Sequence, residues 1–141
     1  HKTDSGGVRL NLNSLLAEIP GVLPCIDWAH LHARQGDGSF NSYEEFAAAI
    51  GKVKDALGDA GLKTMHCHLS GIEYTAKGEQ KHVPLNQADI RYRELLQALV
   101  DLGAEGVIAT EAPEPFHVAD CLTIQATYRQ ILNGGEAHRN L

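Results

Sequence analysis

Apolar positions along this chain switch between a helical period and short unbroken runs. Over 10–19, Leu12, Leu15, Leu16 and Ile19 fall on one helical face, and Pro20-Gly21 stops the helix. The run VLPCIDW at 22–28 has the composition of a buried strand. Ser42 and Glu45 form a capping box, and Phe46, Ile50, Val53 and Leu57 then make a continuous stripe that ends at Gly58 and Gly61. LKTMHCHL at 62–69 is the next strand, followed by a polar loop from Ser70 to Leu85. A helix is expected over 89–102, with Tyr92, Leu95, Leu96 and Leu99 inward and Gly103 as its stop. GVIATE at 106–111 is the third strand, and 117–132 the last helix, ended by Asn133-Gly134-Gly135. The tail 136–141 is expected to fray.

Strands alternating with amphipathic helices specify an α/β fold with a parallel sheet and helical crossovers. Three parallel strands leave two open edges, which fits part of a β/α barrel better than a complete small domain. No linker or low-complexity segment divides the chain, so residues 1–141 read as one unit. It opens HKTDSGG without a methionine, and a fragment of a longer product is expected.

Composition narrows the class. The chain is ordinary for a globular protein, with 43% hydrophobic and 21% charged residues, and its apolar runs are too short to cross a bilayer. No signal-peptide pattern is present, and three widely spaced cysteines, Cys25, Cys67 and Cys121, argue against a disulfide framework or a Cys-rich zinc site. A cytoplasmic location is expected. The net charge of -6 gives no global basic field for nucleic acid, although a local basic cleft is compatible with it. P-loop, nucleophile-elbow, C-x-x-C and dinucleotide-binding fingerprints are missing.

The eight histidines change the picture. Alternation along a strand puts Cys25 with Asp27, Thr64 with His66 and His68, and Val107 with Ala109 and Glu111, each set on one face. All three strands therefore carry an ionisable residue near the C-terminal end: Asp27, His68 and Glu111. In β/α barrels that end is the active face. Two carboxylates brought together need a cation or protons to neutralise them, and this donor set suits Zn, Mn or Mg. The alternative for each residue alone is a satisfied polar group beside a loop. His30 and His82, with Glu79 as a further oxygen donor, would serve a second metal; the competing reading is loop histidines in solvent. Arg34 can fork onto two phosphate oxygens or be an exposed loop residue. Glu73, Tyr74 and Lys77, in the long loop over the barrel mouth, are candidates to touch substrate.

CIDWAH, MHCHLSG, GEQKH and IATEAP, in that order, resemble the motifs of endonuclease IV-type AP endonucleases, within the xylose isomerase-like (β/α)8 TIM barrels. The resemblance covers nearly the whole chain. It implies the C-terminal part of such a barrel, about strands six to eight with their helices. It implies that Asp27, His68 and Glu111 bind one metal, with Asp27 and Glu111 catalytic, and that His30 and His82 bind another. His66 is a second candidate in register with His68. The complete barrel would hold two or three Zn2+ ions and hydrolyse the phosphodiester 5′ of an abasic site in DNA. Its partners would be abasic DNA and either the N-terminal half of the barrel or a second copy. The family's Asp-x-His is Gln80-Lys81-His82 here, leaving Glu79 as the replacement carboxylate, and its Asn-Asp after the histidine is Ser70-Gly71. A single-metal sugar isomerase or epimerase of the same superfamily, using Mn2+ or Mg2+, and a catalytically incomplete half-barrel are the alternatives.

Overall fold

The computed structural model describes residues 23–139. The helix expected at 10–19 and the start of the first expected strand lie outside the described residues. Strand β1 (Cys25–Asp27) is shorter than the expected run, because Trp28 opens helix α1 (Trp28–Ala33) instead of continuing the strand. The cause is local. Asp27 has extended backbone and its carboxylate accepts the His30 backbone N–H at 3.0 Å, making it the N-cap. His30 is thus a helical residue and not a loop residue.

Helix α2 (Tyr43–Leu62) starts at the expected capping box. The Ser42 hydroxyl accepts the Glu45 N–H, and the Glu45 carboxylate returns to the Phe40 and Asn41 amides. Phe46, Ile50 and Val53 are buried as the stripe requires. Gly58, at φ 71°, kinks the helix without ending it. Strand β2 (Met65–His68) buries Met65 and Cys67 on the helix side and leaves His66 exposed on the other, as alternation predicts.

The expected polar loop is instead a β-hairpin of β3 (Gly71–Thr75) and antiparallel β4 (Gly78–Val83). A register shift between Glu73 and Tyr74 interrupts the two-residue alternation that would have marked these strands. His82 is therefore held in a strand. A 3-10 turn at Leu85–Gln87 leads to α3 (Tyr92–Asp101), which buries Leu95, Leu96 and Leu99. Strand β5 (Gly106–Ala109) is next, so Glu111 sits just past a strand end. Helix α4 (His117–Arg139) runs through Asn133-Gly134-Gly135, and residues 136–139 continue it where a frayed tail was expected. Glycine disfavours a helix by only about 1 kcal/mol, too little alone to force a stop.

The main sheet has the order β1-β2-β5, parallel throughout. Its register sets Asp27 beside His68 and His68 beside Ala109. Among the described residues the sheet is open and does not close into a barrel. Helices α2, α3 and α4 pack in series, and the core between sheet and helices centres on Trp28, Phe46, Ile50, Met65, Leu95 and Leu96. Gly106, at φ 143°, lies against the Met65 backbone where a Cβ would collide, so the β2–β5 approach requires glycine there.

A polar network ties the hairpin side to α1. The His32 ring, fully buried, meets the Ser39 carbonyl at 2.9 Å and the Asp89 carboxylate at 2.7 Å. The Tyr74 hydroxyl donates to the other Asp89 oxygen. Burial alone would raise the Asp89 carboxyl, but the Tyr74 and His32 bonds outweigh it and the net shift is downward. The same bond is the chief cause of the Tyr74 phenol being pushed up to about 12. A carboxyl lowered on folding stabilises above its unfolded value, near pH 4, and loses that contribution as pH falls through the lower folded value. Asp89→Asn is therefore expected to melt below wild type at neutral pH and to converge with it in acid. Melting both from about pH 3 to pH 7 checks this, and a gap independent of pH would refute it.

Candidate metal centre

The C-terminal ends of β1, β2 and β5 deliver Asp27, His68 and Glu111 to one place, with donor atoms all within 4.8 Å of one another. His68 Nδ1 is 2.6 Å from Glu111 Oε1 and 3.9 Å from Asp27 Oδ2. The hairpin adds His82, whose Nε2 is 2.9 Å from Glu111 Oε2, and Glu79, whose Oε2 is 2.5 Å from His30 Nε2. His30 Nδ1 lies 2.5 Å from Asp27 Oδ2. The His30 and His82 rings are 5.8 Å apart.

These contacts form a chain in which carboxylates and imidazoles alternate: Glu79, His30, Asp27, His68, Glu111, His82. The Asp-x-x-His spacing has a physical basis here. An N-cap residue and the third helical residue lie side by side, so capping α1 with Asp27 also turns His30 toward it. Burial would lower the His30 pKa, but the Asp27 hydrogen bond and the Asp27 and Glu79 charges outweigh it and the net shift is upward. Three carboxylates among three imidazoles favour a positive guest, whether protons or cations. Oxygen and nitrogen donors together suit Zn, Mn or Mg, and Asp27, His68 and Glu111 are the residues that would hold such an ion. His30, His82 and Glu79 adjoin that set.

The remaining candidates divide. His66 sits beside His68, with ring centroids 5.5 Å apart, and points along the same exposed face. Arg34 follows α1, and its Nη1 is buried with no hydrogen-bond partner. Tyr74 is committed to Asp89, and Lys77 is exposed in the hairpin turn. Glu73 faces Lys81 at 3.5 Å. Ser70 was not singled out by the sequence, yet its buried hydroxyl meets His82 Nδ1 at 2.9 Å and so orients the ring toward Glu111. Only its place after the strand-end histidine pointed to it.

An open parallel sheet whose strand ends converge on acidic and imidazole donors is the arrangement of one side of a metal-dependent β/α barrel. Residues 11–126 match the family model of xylose isomerase-like TIM barrels. The chain belongs to that family. This xylose isomerase-like barrel segment is also similar to an uncharacterized protein of Methanocaldococcus jannaschii, MJ0133, with 46% identity over 92 residues. That match covers 65% of this chain and 33% of the relative, so the chain spans about a third of the protein it resembles. No solved structure gives a significant match. Enzymes predominate in the superfamily, and the strand-end cluster is where a xylose isomerase-like barrel would carry its chemistry. Among the described residues no helix is long and apolar enough to cross a membrane.

Proposed function

We propose that this chain supplies the strand-six to strand-eight metal ligands of a zinc-dependent phosphodiesterase that incises DNA 5′ of abasic sites. The observation that carries the reading is the alternating chain of three carboxylates and three imidazoles, more donors than one ion needs. Asp27, His68 and Glu111 serve one ion; His30 and His82, helped by Glu79, serve another. Bound there, zinc supplies Lewis-acid stabilisation of a phosphodiester in displacement. The chain's own residues orient that centre: Ser70 fixes the His82 ring, and the α1 cap fixes His30 on Asp27. Arg34, which follows α1, is the candidate to fork onto phosphate oxygens. The open sheet edges require further strands, supplied by an N-terminal half of the barrel or by a second copy.

The test is incision of a duplex carrying one abasic site by the zinc-loaded protein. His82→Ala is expected to lower incision by about 10- to 100-fold while the fold persists, since His82 is on the hairpin and outside the core. Unchanged incision would remove His82 from the mechanism.

A second reading has its own observation. Asp27, His68 and Glu111 converge within 4.8 Å as a self-contained set, and one divalent ion suffices for aldose–ketose interconversion with a carboxylate moving the proton. Under that reading Mn2+ or Mg2+ supports turnover of a small sugar, and His82→Ala leaves it intact. Assaying both substrates with the same variant separates the readings.

A further inference from the structure

The sheet face that carries the carboxylate set continues toward the N-terminal ends of the strands, where Cys25 and His66 stand directly opposite each other on β1 and β2. Same-face partners on adjacent strands bring their side chains within reach of one another. His68 is two residues on along β2, hence on the same face and diagonal to Cys25. One donor atom from each of Cys25, His66 and His68 lies within 4.8 Å of the others. A tetrahedral ion with bonds of about 2.0–2.3 Å has donors roughly 3.3–3.8 Å apart, so closing on a metal takes only small side-chain movements. Cys25 and His66 are both exposed and both line an open cavity of ≈ 470 Å³ with Lys63 and Val107.

We propose that Cys25, His66 and His68 form a second metal site, selective for thiophilic ions of the zinc class, adjoining the carboxylate set and sharing His68 with it. The donor chemistry separates the two. A thiolate with two imidazoles rejects Mg2+ and Mn2+, whereas Asp27, His68 and Glu111 accept them. Three protein donors leave a fourth position facing the cavity, as in open zinc sites. The surroundings agree with this. The Asp27 and Glu111 carboxylates stand beside His68, the residue both sets share. Their charges draw the cation in. Cys67 lies buried on the opposite face of β2 and takes no part.

Cobalt(II) is the probe, because sulfur-to-cobalt charge transfer absorbs in the near ultraviolet and oxygen or nitrogen donors give no such band. Cobalt titrated into the reduced protein is expected to produce that band. Cys25→Ser should abolish it, His66→Ala should weaken cobalt binding there by about tenfold or more, and Glu111→Gln and Cys121→Ser should retain it. A wild-type titration without the band overturns the site, as does a band surviving Cys25→Ser. Loss of the band in Glu111→Gln would also overturn it, by making Cys25 an accessory of the carboxylate set. The outcome is independent of the phosphodiesterase reading. A band without incision removes only the latter, and incision without a band removes only this site.

Discussion

Trp28→Ala is expected to destabilise the fold by about 3–5 kcal/mol, the usual loss when a buried large aromatic becomes alanine. Trp28 has no exposed surface. It stacks on Phe40 with centroids 6.3 Å apart and meets Phe46 edge-on at 5.9 Å. A domain this size is stable by about 5–15 kcal/mol, so the variant would sit near the unfolding threshold. The effect should extend to the site, since Trp28 is the first residue of α1 and its burial seats the turn that Asp27 caps. Urea unfolding followed by circular dichroism measures the change; fluorescence does not serve, because Trp28 is the chain's one tryptophan. Trp28→Phe should fall between the two. A midpoint shift equivalent to less than about 1 kcal/mol would show that the aromatic cluster is not the anchor of the core.

The same residue shows where sequence reading stopped. Trp28 fits an apolar strand by composition, and only the Asp27 cap, a side chain bonded to a backbone amide, ends the strand before it. The parallel sheet itself was legible, because Met65 and Cys67 against His66 and His68 spell the two faces of β2 in a period of two. The capping box at Ser42 was legible for the same reason: it is a local interaction. The hairpin was not. Its alternation is broken at Glu73–Tyr74, and its partner strand GEQKHV carries four polar residues in a row, so no short-range pattern announced it. The chemical consequence was partly visible. His30 and Glu79 were each candidate ligands, but only the folded hairpin sets Glu79 on the imidazole of His30. Ser70 shows the limit most clearly, since its contact with His82 spans twelve positions and depends on the turn between β3 and β4. The last helix erred in the other direction, where two adjacent glycines suggested a stop that the backbone does not make.

His68→Ala is expected to have the largest effect on function. His68 is the one residue common to both metal sets, and its Nδ1 is held 2.6 Å from Glu111. Removing it leaves Asp27 and Glu111 facing each other with no imidazole between them, and like charges at close range disfavour the ionised pair. Metal affinity at the carboxylate set should fall by about 100-fold or more, and turnover of phosphodiester or sugar should fall with it. Thermal stability supplies a readout that does not depend on knowing the substrate. Zinc at 100 times its dissociation constant stabilises a folded protein by about 2.7 kcal/mol, and the same zinc acting on a site 100-fold weaker contributes only about 0.4 kcal/mol. Wild type should therefore melt higher with zinc, and His68→Ala should lose the part of that shift owed to the carboxylate set. The partly exposed position of His68 makes this a test of the ligand rather than of the core. Should His68→Ala keep the full zinc-dependent shift, the ion is bound elsewhere and Asp27, His68 and Glu111 are a hydrogen-bonded cluster without a metal. Should His68→Ala and His82→Ala each keep part of the shift while the double variant loses all of it, the chain of acids and imidazoles divides into two sites.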